Sequence, residues 1–439
     1  MKTGCLLVFS LAWALQAWAL VLLPPGPEGQ GQVVGAYPNG VVVLEQTTRL
    51  GEGTSWTPRR NFYSVQERLS LPLPLDGPQG FYRVRAVDIS GGAAGFGRFT
   101  RCYSVILTIA GAGGVTTADV NKWQSAYENG PATAAQLSRP HMAMGDLWGN
   151  IYIADKDAHG IRKIRPDGTI VTVAGTGLAG PNAWGNGPDY LTNGTAVALS
   201  HPNGLYVLTN GVVYILDMDN GKIRRLDTNG MIRTVFTDPN GPIFGGRGLW
   251  VSEDEQVVYY CASDRVRRWT ATEQQVTDFA VIAPDLGNLT VDPQGRLVVT
   301  VRGQHLVYRF SADGATREII AGNGSTGFIT SGLPATNCPL YQVRGVAFLP
   351  TGAFLVATDR GSQVGYVDTE GIIYRMLNGD AVNQAWESHA GDGRWFYDTP
   401  NEYKVSEIRA IALDPFGNIL ITEHDAGYIR MIRFLPYDL

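Results

Sequence analysis

Charged and hydrogen-bonding residues recur along this chain at a fixed offset from its turns. Eight residues ahead of six turn positions (Gly149, Gly211, Glu255, Gly295, Gly352 and Gly417) stand His141, Asn203, Arg247, Gly287, Arg344 and Arg409. Six residues after the same turns come Asp155, Asp217, Cys261, Val301, Thr358 and Glu423. Three arginines and a histidine gathered at one level suit an anionic group, held by charge-assisted hydrogen bonds. A second reading gives the same arginines to backbone carbonyls or nearby carboxylates, as packing devices. Arg162, Arg224, Arg267 and Arg430 are read in that second way, with Asp155 and Asp217 among their partners.

Metal chemistry needs several convergent His or carboxylate ligands. Of the histidines only His141 stands at the recurring position; His159 and His305 fall in turns, His201 precedes a proline and His389 lies in an insertion. Asp217 and Glu423 are the carboxylates that could join a calcium or zinc site, and no cofactor is predicted. No G-x-S-x-G, H-E-x-x-H or phosphate-binding glycine motif occurs. The long insertions carry aromatics, among them Trp123, Tyr127, Trp184, Tyr190, Trp386 and Trp395. Two uses are open for these rings: stacking on a sugar or protein partner, or folding inward to anchor the loops.

The elements that must position these residues are short strands. The chain has 439 residues, 54 of them Gly and 24 Pro; 44% are hydrophobic and only 17% charged. Low charge with ample apolar content excludes a disordered chain, and the absence of a three-residue glycine period excludes collagen. Six segments repeat one pattern: an apolar strand, a tight turn, a second apolar strand, a loop and a third strand. Fourth strands follow Asp-Gly, Asn-Gly or Glu-Gly turns at 169–174, 231–236, 315–321 and 372–377, since such dipeptides accept positive φ. Turns 40 to 65 residues apart fit blades of four strands. The sixth copy lacks its fourth strand. Residues 102–113, CYSVILTIAGAG, have the composition of one and are expected to supply it, closing a ring and protecting its sheet edges.

These repeats resemble NHL repeats. The likeness is carried by Pro140-His141, Gly149-Asn150-Ile151-Tyr152-Ile153-Ala154-Asp155, Ile161-Arg162-Lys163-Ile164 and Asp167-Gly168, and is strong in copies one, two and six. The stretch NGPATAAQLSRP at 129–140, echoed at 332–340, is similar to connectors in long NHL arrays of large surface proteins. The resemblance implies an all-β, six-bladed β-propeller over 99–439. FYRVRAVD at 81–88 is similar to the late strands of fibronectin type III or immunoglobulin-like modules, which implies a small β-sandwich-like module within 20–98. Residues 20–32 and 90–97, rich in Pro or Gly, read as linkers. Amidating lyases of the NHL group hold zinc with histidines at the strand-start position, which only His141 matches here. Gluconolactonase-like propellers use a carboxylate and Asn/Asp set, which Asn203, Asp217 and Glu423 could imitate.

Residues 1–19 place Lys2 before an apolar run and an Ala-Trp-Ala ending, the layout of a signal peptide. A secreted or periplasmic protein is expected, with no membrane span in the mature chain. Cleavage leaves Cys102, Cys261 and Cys338, too few and too scattered for a disulfide framework. A net charge of −5 without a basic run argues against nucleic acid. The expected function is non-catalytic: a face walled by long loops binds an extracytoplasmic protein, peptide or glycan. The alternative is a metal-dependent hydrolase or lyase acting at the channel mouth.

Overall fold

The structure, a computed structural model, describes residues 21–23, 30–51, 53–72, 81–114, 117–178, 189–379, 391–396 and 405–435. Six antiparallel sheets follow one another between residues 140 and 432. The first runs Pro140–Gly145, Ile151–Asp155, Gly160–Ile164 and Ile170–Ala174, each strand beside the next. The second to fifth repeat that order, beginning at Pro202–Val207, Leu249–Val251, Leu286–Val291 and Val343–Phe348. The sixth takes three strands, Ile408–Leu413, Ile419–Glu423 and Tyr428–Ile432, from the end of the chain. Its fourth is Ile106–Ala110, paired antiparallel with Tyr428–Ile432. Each first strand packs against the first strand of the next sheet, and Ile408–Leu413 packs back on Pro140–Gly145. The result is a closed, propeller-like circuit.

Burial explains the strand sequences. Second strands such as Ile151–Asp155, Phe354–Thr358 and Ile419–Glu423 are buried at every residue, because neighbouring sheets cover both of their faces. They therefore read as apolar runs that end in a polar residue, with Thr422 ahead of it in Ile419–Glu423. Outer strands such as Arg317–Ala321 face water and alternate less strictly. All six aligned turns have positive φ, including Glu255 at 59°. Glu255 is the exception to glycine, and its side chain makes the strained backbone worthwhile. It accepts Arg225 Nε at 2.5 Å, Arg225 Nη2 at 2.9 Å and the Tyr214 hydroxyl at 2.6 Å.

Ahead of the circuit lie two three-stranded sheets, Val21–Leu23 with Gln30–Val34 and Arg68–Pro72, and Gly40–Thr47 between Thr57–Ser64 and Phe81–Asp88. Their joint core holds Val33, Val42, Leu44 and Leu71. The linker expected at 90–97 is instead part of an α-helix, Gly92–Thr100, and that expected at 20–32 holds strand residues at both ends. Glycine content misled because at Gly95 it serves packing rather than slack: a Cβ there would stand 2.2 Å from Ser90 O. The missing Cβ lets the helix sit tightly, and Phe96 and Phe99 stack on Tyr374 and Tyr366. No described helix is long and apolar enough to cross a membrane. Cys102, Cys261 and Cys338 are buried free thiols.

Candidate functional site

Two sets of charged residues repeat around the circuit, one inside its wall and one at its mouth. The wall set is built identically in the first, second and sixth sheets. Asp155 accepts Ser138 N at 2.6 Å and Arg162 Nε at 3.1 Å. Asp217 accepts Ser200 N at 2.7 Å and Arg224 Nε at 3.1 Å. Glu423 accepts Ser406 N at 2.9 Å and Arg430 Nη1 at 3.0 Å. Each carboxylate ends the buried second strand, so its strand and the connector bearing the serine are tied together with no access to water. Burial pushes all three carboxyl groups upward in pKa, against the pull of the paired arginine. Asn220 also donates to both oxygens of Asp217. Asp217 and Glu423 are thus spent on holding the wall, and their oxygens do not suit a metal.

The mouth set surrounds a cavity of about 300 Å³. Five of the residues singled out by spacing, His141, Asn203, Arg247, Arg344 and Arg409, line it together, joined by Arg139, Lys156 and His424. Among the described residues no carboxylate lines it. The nearest acids lie behind and are shared. Asp359, 1% exposed, accepts Arg302 Nε at 2.8 Å and Arg409 Nη1 at 3.1 Å, with Arg344 Nε at 3.2 Å. Burial alone would raise its carboxyl, but the three guanidinium groups hold it below the ordinary range. Asp285 serves Arg302 at 2.6 Å and Arg247 at 3.2 Å. Four arginines therefore share Asp285 and Asp359, with Glu407 3.6 Å from Arg409, while Asp157 and Asp425 hold Arg139 and Lys156, so the cations around the cavity still outnumber the acids behind them.

Three further features set the chemistry of this mouth. His141 and His424 meet edge to face, ring centres 4.4 Å apart. Burial first, then each ring's charged neighbours, holds both well below the usual imidazole range, so both are neutral. Glu407, 3.6 Å from Arg409, is pushed up to about 7 by burial and its hydrogen bond with Asp425. Asn203, 4% exposed, donates to Gly246 O at 2.5 Å, while its Oδ1 has no hydrogen-bond partner among the described residues. The cavity thus offers guanidinium donors beside one unused amide acceptor.

Sequence spacing missed Lys156, His424, Arg302 and Asp359. All four stand seven residues after the aligned turns rather than six. Successive residues leave a strand on alternate sides, so the offset of six found the buried wall and the offset of seven reaches the mouth. Trp395 is a correction: it pairs with Val105 and packs against the core around Tyr103 and Phe396, not at the mouth. Trp123 and Tyr127 also fold inward, with Arg162 over the Trp123 ring at 3.8 Å. Trp184 lies outside the described residues. Among the described residues, Asp119, Asp157 and His201 converge closely enough for a metal. Asp157 is already held by Lys156 at 2.7 Å and Arg139 at 3.6 Å, which satisfies its charge.

No family model matches the chain. It is 23% identical to Teneurin-m of Drosophila melanogaster over 319 residues, which is 67% of this chain and 10% of that protein. The chain thus spans about a tenth of that relative. Among solved structures it is similar to a Bacteroides thetaiotaomicron protein of unknown function, 14% identical, TM-score 0.58, covering 94% of this chain and 97% of that one. It is also similar to an auxiliary nutrient binding protein of the same organism, 13% identical, TM-score 0.55, covering 92% and 94%. These likenesses show the fold alone: repeated antiparallel sheets in a propeller-like arrangement, with strands ahead of it.

Proposed function

We propose that the chain is a secreted, six-bladed NHL-like propeller that acts as a non-catalytic binding protein, its cationic mouth receiving an anionic group of an extracytoplasmic ligand. The observation that carries this reading is the lining of the mouth by five cations and, among the described residues, no carboxylate. A ligand carboxylate there meets guanidinium donors in a recess where water screens poorly. The unused Asn203 Oδ1 beside them accepts a hydroxyl, so a sugar acid within a glycan suits the site better than a peptide carboxylate alone. One structural neighbour, an auxiliary nutrient binding protein, agrees with a binding role.

The alternative reading, a hydrolase or lyase, is favoured by one observation: the neutral His141 and His424 pair opens on the same cavity. A neutral imidazole can accept a proton, and that chemistry needs no ion. A calcium or zinc site does not fit here, because Arg139, Lys156, Arg247, Arg344 and Arg409 surround the two rings and repel a cation.

Calorimetric titration with a galacturonate oligomer, its neutral galactose counterpart and an acidic peptide tests the binding reading. The expected result is saturable binding of the galacturonate, no binding of the neutral sugar, and loss of at least about tenfold in affinity in Arg409→Gln. Equal binding of the neutral sugar, or an unchanged affinity in Arg409→Gln, overturns it. Recovery of the galacturonate in altered form after incubation favours the catalytic alternative.

A further inference from the structure

The first strand of each sheet runs from the cationic mouth to an aligned turn, so the turns gather at the opposite end of the circuit. There the edge strand Thr57–Ser64 of the N-terminal sheets crosses over them. It is firmly seated. Tyr63 stacks on Phe434 with ring centres 4.4 Å apart, its hydroxyl meets that of Tyr103 at 2.5 Å, and Asn61 Nδ2 donates to Cys102 O at 2.8 Å. Between this strand and the turns lies a cavity of about 660 Å³, within the range of small-molecule sites, which favour domain junctions.

Its walls are largely apolar, with Phe62, Leu69, Phe348, Leu413 and Phe416 among them. Among the polar residues that interrupt them, Arg60 and Asn61 carry atoms without a partner. Arg60 lies 4.9 Å from the centres of both the Phe62 and Phe416 rings, and its Nε has no hydrogen-bond partner among the described residues. Asn61, 2% exposed and also lining the cavity, has an unpartnered Oδ1. A buried polar atom without a partner is costly to the fold, so a ligand that supplies both partners gains from each. The guanidinium charge itself is already opposed by Asp414, which lines the same cavity, and an anion would gain little.

We propose that this cavity is a second ligand site, for a small neutral ring compound that offers an acceptor to Arg60 Nε and a donor to Asn61 Oδ1. A ring carboxamide is the simplest molecule with both. The site is independent of the cationic mouth and lies at the other end of the channel.

Benzamide is the probe, followed on the full chain by saturation-transfer NMR and calorimetry, with toluene and benzoate as controls. Saturable benzamide binding is expected, tighter than either control. Arg60→Met, which keeps the apolar stem and removes the donor, should weaken it at least about tenfold. Thr209→Trp fills the cavity from an exposed rim position, so it keeps the fold and decides the matter should Arg60→Met not fold. Absence of saturable binding, or undiminished binding in Thr209→Trp, overturns the site. Toluene or benzoate binding as tightly as benzamide overturns the assigned ligand class.

Discussion

The arginines of the wall and those of the mouth are the same residue type at neighbouring levels of one circuit, yet their surroundings differ. In the wall, Arg162, Arg224 and Arg430 each face a carboxylate of their own, with a serine amide completing the set. At the mouth, Arg302, Arg344 and Arg409 crowd one Asp359, and Arg247 shares Asp285 with Arg302. Arg430 has Asp392 as a second partner at 2.7 Å and Arg224 has Asp189 at 3.8 Å, so each wall arginine has at least one carboxylate to itself and its charge is spent on the fold. Sharing leaves charge available to a ligand, and the cavity opens where the sharing occurs. The same contrast separates the sheets: the first, second and sixth keep the wall pairing, whereas the equivalent positions of the fourth and fifth are Val301 and Thr358.

The largest expected effect comes from breaking the wall. Asp217→Ala leaves Arg224 buried without its carboxylate, and a loss of about 3–5 kcal/mol in unfolding free energy is expected by denaturant titration. A loss below about 1 kcal/mol would remove the distinction between the two sets. Breaking the mouth should act in the opposite sense. Arg344→Gln relieves crowding among like charges, which burial and Arg409 already express by driving the Arg344 guanidinium well below its usual pKa. Its melting temperature is expected to hold or rise, while galacturonate affinity falls about tenfold. A melting temperature lowered as far as that of Asp217→Ala would class Arg344 with the wall.

The smallest effect is one of pH. Glu407 titrates near 7 in the folded chain, raised by burial and by its hydrogen bond with Asp425. A carboxyl raised on folding contributes stability that is full below its unfolded pKa and lost as pH rises through the folded value. Relative to Glu407→Gln, the melting temperature should therefore decline modestly between about pH 4.5 and pH 7; the comparison cancels the opposite contribution of the buried neutral His141 and His424. Over the same interval the neutral Glu407 leaves Arg409 less opposed, so anion affinity should rise as pH falls. An affinity that rises with pH would separate Glu407 from the mouth.

Much of this is legible in the sequence. The turn residues from Gly149 to Gly417 marked the sheets because glycine takes positive φ at no steric cost, and of the six turns only that at Glu255 does without it. CYSVILTIAGAG read as the missing outer strand, and Ile106–Ala110 fills that place. Five mouth residues were found from an offset of eight alone. What escaped has definite causes. The helix Gly92–Thr100 was hidden by glycines whose purpose is close approach, and Trp395 reads the same in sequence whether it faces a ligand or a core.

Local chemistry in the sequence determined the repeating strands, their turns and the ends at which polar residues stand, because a period of two and the glycine positions leave few alternatives. Only the tertiary structure decided which arginine is spent and which is offered. That depends on how many guanidinium groups converge on one carboxylate, and Asp359 collects arginines that stand 15 to 57 residues away in the chain. Convergence across sheets is a property of the closed circuit, and no spacing within a single repeat records it.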